Sequence, residues 1–248
     1  MTDLYDDTGT RVSVPARVGR VVSLVPSLSE AVAVTAPGLL VGATDWCSQP
    51  ADLQVIRVRG TKNPDVAGIV VLRPDLVLAN VEENRPQDLD ALREAGLAVW
   101  TTYPRTLPEA LVSLGHLLDA CRLDRPGWLD DADAVWREPW KGRRRRAVVP
   151  VWRRPWMAVG SGTFTGDVLA RLGVDNVLAD HAERYPKVDL AQLPEHDLVV
   201  LPDEPYLFTP QDGPECFTAL SRCVSGRHLT WYGPSLTEAR VLLEQQLA

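Results

Sequence analysis

The residues able to do chemistry sit in short polar clusters that follow apolar, β-branched runs. Lys62 lies in Gly60-Thr61-Lys62-Asn63, and Asn80-Val81-Glu82-Glu83-Asn84 follows the apolar run 76–79. An ammonium group set against Glu82 or Glu83 can hold polar amides or a charged group of a ligand. For Glu83-Asn84 ahead of Pro86, capping of a helix start is the alternative. In the second half, Trp152-Arg153-Arg154-Pro155-Trp156 combines indoles with two guanidinium groups suited to carboxylates or phosphates. Tyr103-Pro104-Arg105 closes another apolar run and reads as a rim.

Other chemistries lack their residues. Cys47, Cys121, Cys216 and Cys223 form no CxxC pair, and the four histidines form no HxH or HExxH spacing. No metal ligand set and no catalytic residue is therefore assigned, and no cofactor is required. Gly160-Ser161-Gly162-Thr163 lacks the lysine of a phosphate loop, so helix capping by Thr163 or Thr165 is the better reading. Residues 143–146 are four consecutive arginines without a partner patch and read as a solvated linker end.

Composition narrows the classes further. A formal net charge of -7 over 248 residues argues against a nucleic-acid surface, because phosphate contacts demand a basic face. No apolar run approaches the ~20 residues of a membrane span. Residues 1–7 carry neither the basic start nor the apolar stretch of a secretory signal, which leads to the expectation of a cytoplasmic chain, or of a periplasmic or extracellular one from which a signal was trimmed. Thiols kept reduced are expected with it.

The elements that position these clusters alternate strand and helix, the pattern of parallel α/β sheets. Strands are expected over 20–25, 39–43, 75–80 and 98–102, with helices over 27–35, 65–72, 86–95 and 107–122. A second lobe follows, with strands over 147–151, 197–202 and 228–231 and helices over 165–172 and 235–247. Between them, Trp128, Leu129, Ala132, Val135 and Trp136 recur at helical spacing, so one amphipathic helix over 128–140 is expected to join the lobes. The expected division is 1–122, 123–142 and 143–248.

Four strings carry a family resemblance: Arg20-Val21-Val22-Ser23-Leu24-Val25-Pro26-Ser27-Leu28-Ser29-Glu30, Val41-Gly42-Ala43-Thr44-Asp45-Trp46-Cys47, Asn63-Pro64-Asp65 and Leu72-Arg73-Pro74-Asp75-Leu76-Val77-Leu78-Ala79. In the second half Gly160, Thr163-Phe164, Asp167-Val168-Leu169 and Asp175-Asn176-Val177 continue it. Together they resemble the helical-backbone metal-receptor superfamily, which is class III periplasmic-binding-protein-like, and within it the vitamin B12-binding components of ABC importers. The resemblance implies two Rossmann-like lobes with parallel sheets, joined by a single long backbone helix, with a ligand cleft between them. Ligands of such folds sit outside the carboxyl ends of strands.

On that resemblance, Trp46, Trp156, Tyr185, Trp231 and Tyr232 fall on cleft aromatics. At about Thr61 the B12 binders carry tryptophan, a departure that counts against cobalamin itself. The implied ligand is cobalamin or another metal chelate such as haem or a siderophore, bound by Trp46, Thr61, Lys62, Asn80, Glu82, Glu83, Trp156, Tyr185, Trp231 and Tyr232. Importer relatives dock on a permease through an acidic residue on each lobe, where this chain has Ala67 and Ala191. That substitution favours a carrier, scavenger or sensor. The competing function is a cytosolic enzyme of tetrapyrrole or metal-chelate handling on the same fold, with Glu82, Glu83 and a histidine as proton carriers.

Overall fold

The computed structural model describes residues 1–248, which form two compact units. Unit 1 holds residues 1–104, 110–130 and 232–234, and unit 2 holds 105–109, 131–231 and 235–248.

Unit 1 begins with an antiparallel hairpin, β1 (Thr2–Tyr5) and β2 (Arg11–Val14). Strand β3 (Val21–Ser23) feeds α1 (Pro26–Thr35), where proline supplies the fixed φ of a first helical turn. Eight residues of α1 are buried, among them Ser27, Ser29 and Glu30, so the helix is covered most of the way round. Then come β4 (Leu40–Ala43), β5 (Ile56–Arg57) and the small pair β6 (Arg59–Gly60) and β7 (Asn63–Pro64). Helix α2 (Val66–Leu72) is capped by the Asp65 carboxylate, which accepts from Gly68 N at 3.0 Å, and ends at Arg73 in the left-handed region.

Strand β8 (Leu76–Asn80) is buried at every position, followed by α3 (Pro86–Glu94), β9 (Val99–Thr102) and α4 (Leu107–Ala120). The order β5-β4-β3-β8-β9 is parallel throughout. Continuous apolar runs such as Leu-Val-Leu-Ala suit strands covered on both faces. Val22, Leu24, Ile69, Val77, Leu89 and Leu92 fill one side of this sheet.

Helix α5 (Gly127–Trp136) contributes its first four residues to unit 1 and the rest to unit 2. The Trp128 indole donates to Thr35 Oγ1 in unit 1, and the Trp136 indole donates to Leu236 O in unit 2. The helix is ten residues long and stops short of the expected residue 140. Pro139 lies three residues on, and a residue before proline is driven out of the helical region.

Unit 2 is built on β10 (Arg145–Val148), the hairpin of β11 (Pro150–Trp152) and β12 (Met157–Ala158), α6 (Phe164–Arg171), β13 (Val174–Asn176), β14 (Leu198–Pro202), β15 (Leu220–Val224), α7 (Gly226–Thr230) and α8 (Leu236–Leu247). Its sheet, β13-β10-β14-β15, is also parallel. Thr163 caps α6, as its sequence suggests, accepting from Gly166 N at 3.1 Å.

One expected strand is a helix. Residues 228–231 lie in and just after α7, where Thr230 Oγ1 donates back to Gly226 O. The fourth strand of the sheet is instead Leu220–Val224. The arginine run is structural in part: Arg144 forms a bidentate pair with Asp175, and Arg145 donates to Leu247 O.

Candidate ligand-binding surface

In unit 1 the candidate residues gather where parallel strands end. Trp46 follows β4 on a turn whose Asp45 N donates to Arg59 O at 2.8 Å. The indole is 68% exposed. Gly60 lies beside it, and a Cβ at that position would meet Trp46 Nε1 at 3.5 Å and Asn63 Oδ1 at 2.5 Å. The alternative of a core tryptophan at position 46 is thereby excluded.

The loop after β8 is organised by two buried amides. Asn80 Oδ1 accepts from Glu82 N at 2.7 Å and Glu83 N at 3.2 Å. Asn80 Nδ2 donates to Tyr232 Oη at 2.8 Å and to Thr102 O at 3.1 Å. Asn84 Oδ1 accepts from Asn80 N, and its Nδ2 donates to Thr61 O at 2.9 Å. The half-buried Thr61 thus contributes its carbonyl to the loop. Lys62 Nζ donates to Glu82 O at 2.5 Å. Partial burial pulls the Lys62 ammonium below its ordinary value, against the neighbouring Glu83 carboxylate, which raises it.

Asn80 and Tyr232 are 4% and 5% exposed and direct their polar atoms at one another. Their place is under the loop that presents Glu82 and Glu83, so the structure corrects the expectation that both contact ligand. Burial pushes the Tyr232 phenol upward, which keeps it a neutral hydrogen-bonding group.

In unit 2, Trp156 is half-buried in an aromatic cluster. It stacks on Phe208 at 5.9 Å between centroids and 3° between planes, and meets Phe217 edge-on at 5.4 Å. The Arg153 guanidinium lies 5.4 Å from its ring centroid. Arg153 itself is paired with Asp212 and, at 2.8 Å, with Glu215. The expectation of two ligand-facing arginines therefore fails for Arg153. The Gly213 amide, ahead of the Arg153 guanidinium, holds the Glu215 carboxyl down at about 2.

Trp231 is 7% exposed, and its indole donates to Glu204 Oε2 at 2.9 Å. It is scaffold, which corrects its assignment as a ligand-facing ring. Tyr185 is half-buried in a loop clamped on the end of β12, where Gly160 N donates to Arg184 O and Ala158 N to Pro186 O. A Cβ at Gly160 would stand 2.2 Å from Glu183 O, so only glycine permits this approach. A separate cavity of about 420 Å³ lies over the start of α6, lined by Arg105, Glu109, Thr163, Asp167 and Asp175 among others.

Reading by sequence placed Trp152, which is 44% exposed, in a candidate cluster without assigning it to the ligand, and passed over the loop bearing Tyr206, Phe208 and Phe217. Aromatic enrichment in the 15 residues from Asp203 to Phe217 was the available signal. Ala67, on α2, and Ala191, on the single turn Leu190–Gln192, are both exposed.

No family model matches the chain. Vitamin B12-binding proteins are similar to it: that of Vibrio cholerae is 24% identical over 196 residues, covering 75% of this chain and 70% of that one. That of Salmonella paratyphi A is 25% identical over 197 residues, covering 70% and 68%. Among solved structures, the periplasmic vitamin B12-binding protein of Vibrio cholerae matches with TM-score 0.73 at 20% identity, covering 94% of this chain and 98% of that one. Helicobacter pylori CeuE with Ni(II) bound matches at 0.81 and 14%, covering 99% and 88%, and a periplasmic haem-binding protein of Roseiflexus at 0.68 and 16%, covering 93% and 100%.

These proteins are described as binders and none as an enzyme, which supports binding over the enzymatic alternative. The cytoplasmic expectation is overturned, because the neighbours are periplasmic proteins. The chain is similar in sequence to vitamin B12-binding proteins and shares the fold of class III periplasmic-binding-protein-like structures.

Proposed function

We propose that the chain is a substrate-binding protein of the ABC-importer type that works outside the cytoplasm and takes a metal-bearing chelate of the cobalamin, haem or ferric-siderophore kind. The observation that carries this reading is Trp46: an indole 68% exposed, at the carboxyl end of a parallel strand, with the ammonium of Lys62 in the neighbouring loop. An exposed ring on an ordered turn offers a large contact area at little conformational cost. The names of the similar proteins point the same way.

The residues proposed to touch ligand in unit 1 are Trp46, Thr61, Lys62, Glu82 and Glu83; unit 2, taken by itself, offers Tyr185. Docking on a permease would not use carboxylates at Ala67 or Ala191. Titration of the purified protein with cyanocobalamin, hemin and iron(III) tris-catecholate, followed by calorimetry, tests the reading. Saturable binding of one of the three at one equivalent is expected. Absence of binding by all three would overturn it.

A further inference from the structure

We infer that unit 2 offers Trp152 and Arg154 to an anionic, π-conjugated metal chelate, Trp152 as the ring on which it lies and Arg154 as the group that selects for negative charge. This rests on the binding reading above and narrows its ligand class.

The two tryptophans of the turn between β11 and β12 differ in what surrounds them. Trp156 is stacked on Phe208 and flanked by Phe217 and Arg153, so its surface is used inside the protein. Trp152 has one aromatic neighbour, Tyr206, at 5.7 Å and 80°, and remains 44% exposed. Tyr206 is itself fixed, because its hydroxyl donates to Asp212 Oδ2 at 2.6 Å and Asp212 holds Arg153. An exposed ring propped by a closed network is pre-organised, and binding on it orders little that is mobile. Leu207, beside Tyr206 in sequence, is exposed as well and extends the apolar surface.

The two arginines of the turn divide in the same way. Arg153 is neutralised by Asp212 and Glu215. Arg154 is exposed, makes no hydrogen bond or ion pair, and holds its backbone in the left-handed region at a φ of 68°. Its positive charge is felt at the Cys216 thiol, so it stands by the loop that Arg153 latches. A free guanidinium two residues from an exposed indole matches a ligand with a flat conjugated face and an anionic edge. Porphyrin carboxylates supply that chemistry, and an iron(III) tris-catecholate offers the same pair of groups as separate aromatic rings and a net negative charge. Cyanocobalamin, whose one phosphodiester is balanced by its cobalt centre, carries no net charge.

The test compares the unaltered protein with Arg154→Gln, Arg154→Lys and Trp152→Ala, each titrated with hemin, iron(III) tris-catecholate and cyanocobalamin at low and high salt, with a thermal melt beside each. The unaltered protein should prefer hemin or the tris-catecholate over cyanocobalamin, and the arm that responds identifies the source of the charge. Arg154→Gln should weaken that ligand by about tenfold and flatten its salt dependence, with Arg154→Lys retaining much of it. Trp152→Ala should weaken it by a similar factor without lowering the melt. A preference for cyanocobalamin, or unchanged affinity in Arg154→Gln, would overturn the inference and leave the binding reading standing. Failure of all three ligands with the unaltered protein overturns both.

Discussion

The Tyr232 hydroxyl oxygen lies 2.8 Å from the Asn80 side-chain nitrogen and 2.7 Å from Thr102 Oγ1, although 152 residues separate Tyr232 from Asn80. A residue near the end of the chain thus completes the polar floor under the loop after β8. Removing that hydroxyl leaves a buried amide short of an acceptor, which costs about 1 to 3 kcal/mol. Tyr232→Phe should lower stability by that amount in chemical denaturation, and should also loosen Glu82 and Glu83, whose amides depend on the orientation of Asn80. A variant as stable as the parent would show that the loop does not need Tyr232.

Trp46 and Trp231 should respond oppositely to removal. Trp46 is mostly solvated, so Trp46→Ala should leave the melt nearly unchanged while weakening ligand by about tenfold, which is 1.4 kcal/mol. Trp231 is buried and hydrogen-bonded to Glu204, so Trp231→Ala should cost roughly 3 to 5 kcal/mol of folding free energy. Calorimetry and thermal melts on both variants decide it. Reversed outcomes would return Trp231 to the ligand surface.

How much of this was legible in the sequence depends on the element. Leu76–Asn80 and Leu198–Pro202 are buried on both faces and announce themselves as apolar runs. Leu220–Val224 reads Leu-Ser-Arg-Cys-Val and was hidden, because it is the edge strand of its sheet and only Val224 is fully buried. His228-Leu229-Thr230-Trp231 mimics strand alternation, but four residues cannot distinguish a period of two from a helical turn. The site was less legible than the fold. Trp46 and Trp156 both follow strands, and what separates them is Phe208 and Phe217, brought to Trp156 by tertiary packing alone.

All four cysteines are free thiols in the fold, two of them buried. Burial pushes the Cys121 thiol up to about 12, and Cys47, which accepts a hydrogen bond from Ser29 Oγ at 2.9 Å, is raised as well. Thiol counting in denaturant without reductant should find four groups. In the native protein at pH 8, Cys47 and Cys121 should react far more slowly than Cys216 and Cys223, since they are buried away from the reagent whereas the other two are partly exposed. A count of two in denaturant would mean a disulfide that this fold does not contain.

Glu204 and Glu238 should give stability opposite dependences on pH. Burial raises the Glu204 carboxyl above its ordinary value, opposed by the indole N–H of Trp231. The folded state therefore binds a proton there more readily than the unfolded chain. Its contribution is fully present below the unfolded value and is lost as pH rises through the folded one. Glu238 is lowered, chiefly by its hydrogen bond from His228, so its contribution is present above the unfolded value and is lost as pH falls through the folded one. Glu204→Gln keeps an oxygen for Trp231 and removes the desolvated charge. It should raise the melting temperature by a few degrees at pH 7 to 8, an increment that shrinks as pH is lowered toward 4. Glu238→Gln should lower the melt at pH 7 and converge on the parent in acid. Melts of the three proteins across this range provide the check. An increment for Glu204→Gln that is the same at pH 4 and pH 7 would show that the buried charge is not its cause.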